Sequence, residues 1–80
     1  MNKPQLGNRL RVARAEKNLS QEDLAKMAGV SRQTICSIET GQYCPSALLA
    51  FVLAKQLGKP VEGLFYLREA NDDTATSVGR

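Results

Sequence analysis

The chain has 80 residues, 42% of them hydrophobic and 24% charged, with a formal net charge of +3. That length supports one small domain and leaves little room for a catalytic cleft between domains, while the positive balance favours an anionic partner. The sequence has two cysteines and no histidine, which argues against a zinc site or a histidine-based catalytic centre.

No apolar stretch approaches the roughly 20 residues needed to cross a bilayer, and the N-terminus lacks the apolar segment of a signal peptide. These features predict a cytoplasmic protein that neither spans nor binds a membrane, with Cys36 and Cys44 as reduced, structural thiols. Residues 1–20 carry Lys3, Arg9, Arg11, Arg14 and Lys17 against Glu16 alone, so most of the basic excess sits at the N-terminal end. A solvated helix face or a phosphate-contacting face would each produce such a run.

Residues 1–5 read as a lead-in, and the first helix is expected over residues 5–17. Leu6, Leu10, Ala13 and Lys17 recur at helical spacing and form a narrow apolar stripe that Arg14 borders. Gly7 weakens the first turn, and Asn18 is suited to a left-handed stop.

The stretch 20–41, SQEDLAKMAGVSRQTICSIETG, carries two more helices with their start and stop signals. Ser20 caps the first of them, and Asp23 stands where a capping box places its acidic partner. Leu24, Ala25 and Ala28 supply an apolar face, Gly29 ends the run, and Ser31 caps the next helix, Arg32–Glu39. On a helical wheel Ile35 and Ile38 fall on one side, flanked by Thr34 and Glu39. Arg32, Gln33, Cys36 and Ser37 fall on the other. That outer face has no carboxylate, and its Arg and Gln suit the edges of guanine and adenine in a major groove. Two helices, a Gly-containing turn and such a face are the layout of a DNA-binding helix-turn-helix.

After Gly41 a loop over residues 42–45 carries Tyr43, compatible with packing or with a phosphate contact. Ser46 caps a fourth helix, with Leu48, Leu49, Val52, Leu53 and Leu57 as its expected apolar face. Phe51 points away from that stripe, as a core-rim or a contact residue. Gly58 ends the helix, and residues 59–65 give a short, weak fifth helix with Pro60 in its first turn. The fold expected is all-α: a compact bundle of five short helices over residues 1–66, then a flexible tail, residues 67–80.

LSQEDLA, GVSRQTI and IETG together resemble the Cro/lambda-repressor-like family, also called the XRE family, and the similarity covers residues 6–65. The chain departs from that family at Lys59 and Pro60, where relatives usually carry an apolar residue and then Ser or Thr. The resemblance implies a small repressor whose third helix enters the major groove of a palindromic operator in double-stranded DNA. It assigns Gln21 to phosphate binding and helix bracing. It also assigns Arg32, Gln33 and Ser37 to bases, Thr34 to phosphate or a thymine methyl, and the amides of Thr40 and Gly41 to phosphate. It further implies a buried ion pair between Arg14 and Glu39.

No cofactor is implied, and nothing suggests an enzyme. These motifs generally act as dimers, so a homodimer through residues 65–67 is expected, although the same side chains could instead close the monomer's core. The rival reading is an interaction module, such as an antitoxin, that binds a partner protein and only secondarily its operator.

Overall fold

The computed structural model describes residues 4–68. In chain order these form β1 (Gln5–Asn8), α1 (Leu10–Glu16), α2 (Gln21–Ala28), α3 (Arg32–Glu39), α4 (Ala47–Leu57), α5 (Val61–Leu64) and β2 (Phe65–Arg68). Of the tail expected over residues 67–80, Leu67 and Arg68 instead belong to β2, and the rest lies outside the described residues.

Among the described residues five helices are present, but the fold is not purely helical, because β1 and β2 pair as a two-stranded antiparallel sheet. Its register places Gln5 opposite Arg68, Leu6 opposite Leu67, Gly7 opposite Tyr66 and Asn8 opposite Phe65. Residues 5–8 are therefore a strand, where the sequence suggested the first turn of α1. The local chemistry explains the difference. Gly7 is a poor helix former, and the Tyr66 ring lies where a Cβ at position 7 would stand. The Arg9 guanidinium lies over that ring, 4.5 Å from its centroid. Helix α1 starts later, at Leu10, whose amide is held by the Asn8 side chain at 3.0 Å.

The remaining boundaries follow from capping. Asn18 takes a left-handed φ of 55° after α1. Ser20 and Asp23 complete a capping box on α2, with bonds of 2.9 and 3.1 Å. Ser31 and Ser46 each accept an amide three residues on, starting α3 and α4. Pro60 occupies the cap position of α5, one place before the first turn expected for it, and offers no side-chain cap. This helix is a single turn.

The core is continuous across all the helices: Leu10 and Ala13 from α1, Leu24 and Ala25 from α2, Ile35 and Ile38 from α3, Leu53, Ala54 and Leu57 from α4, and Leu64 from α5, with Phe65 of β2. Leu48 does not join it. It is 76% exposed, because Leu53, Ala54 and Leu57 turn the opposite side of α4 inward and Leu48 falls about half a turn away.

Candidate nucleic-acid interface

The turn between α2 and α3 is fixed by its backbone. Gly29 has φ 76°, which an L side chain adopts only with strain. The Val30 amide reaches back to the Ala25 carbonyl at 2.9 Å. Val30 packs against the core, and Ser31 then holds the Thr34 amide at 3.1 Å. These contacts set the angle at which α3 leaves the turn.

Ile35 and Ile38 bury one side of α3, which turns Arg32 and Gln33 outward. Cys36 and Ser37 lie half-buried beside them. Gln33 Nε2 donates to Ser37 Oγ at 3.2 Å, one turn along the same face. Arg32 Nη1 donates to Gln21 Oε1 at 3.2 Å. The Gln21 amide in turn donates to Glu39 Oε1 at 3.1 Å. Gln21 thus bridges a surface guanidinium and a carboxylate inside the bundle.

Arg14 and Glu39 meet, with Arg14 Nε donating to Glu39 Oε2 at 2.8 Å. Arg14 Nη2 lies 3.4 Å from the other carboxylate oxygen, and Nη1 donates to the Leu19 carbonyl at 2.8 Å. Glu39 as a whole residue is half-buried, yet its side chain is only 1% exposed. The exposure belongs to the backbone at the helix end. Arg11, largely exposed, stands 3.8 Å from the same carboxylate and was not anticipated from the sequence. The buried charge therefore has a guanidinium, an amide and a second cation around it.

Thr34 is half-buried, and its hydroxyl shares a 3.0 Å hydrogen bond with Ser31. Thr40 turns its hydroxyl back onto the Cys36 and Ser37 carbonyls, at 3.1 and 3.2 Å. The amides of Thr40 and Gly41, expected to face phosphate, are already bonded to the carbonyls of Cys36 and Ile38, each at 3.0 Å. Helix termination uses these donors first. Tyr43 is exposed beside them, its amide bonded to the Ser37 carbonyl at 3.1 Å. Cys36 and Cys44 are both free; Cys44 is exposed, so the expectation of a structural role does not describe its place. Asn8 was not anticipated either. Placed in the first turn of a helix by the sequence reading, it instead donates Nδ2 to the Ile38 carbonyl at 3.0 Å. An Asn two residues before the Leu10/Ala13 stripe was the available signal.

A second surface lies away from α3. Phe51, 63% exposed, stands on the outer side of α4 with Leu48. It borders an open apolar groove of about 680 Å³ lined also by Leu6, Val61, Phe65 and Leu67. Among the described residues, no helix is long and apolar enough to cross a membrane.

Residues 10–64 match the model of a family described as helix-turn-helix. An uncharacterised helix-turn-helix-type transcriptional regulator of Methanocaldococcus jannaschii is 57% identical over 58 residues, covering 72% of this chain and 88% of the relative. A similar uncharacterised regulator of Bacillus subtilis is 42% identical over 64 residues, covering 80% and 97%. Among solved structures, the restriction-modification controller protein C.AhdI from Aeromonas hydrophila superposes with a TM-score of 0.66 at 36% identity, over 69% of this chain and 80% of that one. A Bacteroides fragilis protein described as a putative DNA-binding protein gives a TM-score of 0.71 at 27% identity, over 78% and 100%.

Proposed function

Because the chain belongs to the XRE-type helix-turn-helix family of DNA-binding transcriptional regulators, we propose that it is a small cytoplasmic repressor binding a palindromic operator as a homodimer. The observation that carries this reading is the outer face of α3. Arg32, Gln33 and Ser37 share it, it bears no carboxylate, and Gln21 holds the Arg32 guanidinium ready. In this reading α3 lies in the major groove, with Arg32 and Gln33 on base edges and Ser37 beside them. Thr34 meets a phosphate or a thymine methyl. Gln21 braces Arg32 and approaches the phosphate backbone. The turn carrying Thr40, Gly41 and Tyr43 flanks the groove, and the exposed Tyr43 side chain rather than the engaged amides would supply a phosphate donor.

One short helix reads only a few base pairs, so a pair of chains on half-sites about 34 Å apart is needed for useful specificity. The groove beside Phe51 supports that pairing, since it exposes apolar side chains that a second copy would cover. The same surface would suit a partner protein, and nothing else favours that alternative. Occupying an operator is sufficient to block transcription, which is why repression is preferred to activation.

Selection of bound sites from random duplex DNA tests the reading. The expected result is one palindromic consensus whose affinity falls steeply with salt. Recovery of no consensus, or binding that is equal on all sequences, would overturn it. A reporter activated by the selected site would overturn repression alone.

A further inference from the structure

Asn8 is the one described side chain that hydrogen-bonds the terminal sheet to the recognition helix. Its Oδ1 accepts the Leu10 amide at 3.0 Å, and its Nδ2 donates to the Ile38 carbonyl at 3.0 Å. The orientation of the amide is forced, because Leu10 offers only a donor and Ile38 only an acceptor. Ile38 is in the last turn of α3, where carbonyls lack helical partners. Its oxygen also takes the Gly41 amide at 3.0 Å, so both lone pairs are used. In β1, Asn8 stands opposite Phe65, which lines the apolar groove with Leu6 and Leu67.

We propose that Asn8 is a positioning residue, fixing the C-terminal end of the recognition helix to the sheet and hence to the surface through which two copies associate. The part concerning association rests on the dimer proposed above. Glu39 already ties this end of α3 to α1 and α2 through Arg14 and Gln21. Asn8 adds a tie to the sheet, which sets the tilt of α3 against β1 and, through it, against the partner's reading helix. The distance between the two reading helices then becomes a fixed property of the dimer, and so does the spacing of half-sites it accepts.

Two variants separate this role from simple capping. Asn8→Ser keeps an oxygen able to cap the Leu10 amide but is too short to reach Ile38. Asn8→Asp keeps shape and cap while setting a carboxylate against a carbonyl. The first measurement needs no DNA: amide hydrogen exchange at Gly41 and Gln42, with Gly58 at the end of α4 as internal reference. Exchange at Gly41 and Gln42 relative to Gly58 is expected to rise roughly five- to tenfold in both variants. The second is binding of the full chain to the selected operator and to versions with spacing changed by one base pair, alongside sedimentation. The variants should bind the selected spacing several-fold more weakly and the altered spacings about as well as wild type, with dimerisation unchanged. Unchanged relative exchange at Gly41 and Gln42 would overturn the anchor. Unchanged spacing preference would overturn its role in dimer geometry. If the wild-type chain binds no DNA, the regulator reading fails while the exchange result still decides the anchor.

Discussion

Helices α3 and α4 bury stripes in the same core but present opposite outer faces. On α3 the outward Arg32 and Gln33 are each held by another side chain, Gln21 or Ser37. On α4 the outward Leu48 and Phe51 are large, apolar and exposed. An outer face of tethered polar groups is prepared for a polar partner and loses little side-chain freedom when one arrives. An outer face of bare apolar groups gains by being covered, whatever the sequence of the DNA. The contrast fits the proposal that one helix reads DNA and the other supports association.

The largest effect should come from the charge beneath α3. Glu39→Ala would leave Arg14 without its carboxylate inside the bundle and is expected to cost about 3–5 kcal/mol of stability. Glu39→Gln should be milder, since its amide oxygen still accepts from Arg14. DNA affinity should fall in step with stability, although the Glu39 side chain is itself buried. A thermal melt of Glu39→Ala superimposable on wild type would break the link between core and reading face.

Next comes the apolar face. Phe51→Asp should leave the monomer's melting temperature nearly unchanged, because the ring is exposed, while weakening association by at least about 2 kcal/mol, or roughly 30-fold. Sedimentation equilibrium reads this directly. A variant that dimerises like wild type would move the association surface away from α4.

On the polar face, Arg32→Ala and Gln33→Ala should each cost about 1–3 kcal/mol on the preferred operator and relax preference at the base pair they read. Gln21→Ala should weaken binding more evenly across sequences and lower its salt dependence. Competition between the selected site and single-base variants distinguishes the two outcomes. Retained site preference in Arg32→Ala would transfer recognition to other side chains.

The smallest effect concerns pH at the start of α2. The Ser20 backbone amide, then its hydroxyl, and more weakly Lys26 hold the Asp23 carboxyl below the ordinary aspartate range. A carboxyl with a lower pKa in the folded chain adds stability that is complete above its unfolded value of about 3.9 and is lost as pH falls through the folded one. Stability measured between neutral pH and strongly acid conditions should therefore fall less in Asp23→Asn than in wild type. Identical slopes would show that the capping box does not couple to protons.

Sequence reasoning reached furthest where structure is local. Ser20, Asp23, Gly29 and Ser31 announce both ends of α2 and the start of α3 within 12 residues, and the outward Arg32 and Gln33 follow from a helical wheel. Arg14 and Glu39 border their apolar stripes, but their partnership came from family resemblance, not periodicity. The sheet was illegible for a physical reason. Each strand has four residues, too few to show alternation, and their pairing joins opposite ends of the described chain. Leu48 was misplaced because α4 is apolar nearly all round, which blurs the direction of its buried side. Asn8 was hidden by the same error that extended α1 backwards.

The pairing of β1 with β2 also has a kinetic meaning. Their residues lie on the order of 60 positions apart, so closing the ladder from an open chain is entropically costly, whereas the α2–α3 turn closes over a handful. Helical contacts formed first shorten that search. The strands should then zip late, outside the folding nucleus. Substitutions at Leu6 or Leu67 should accordingly show φ-values near zero, speeding unfolding while leaving the refolding rate almost untouched.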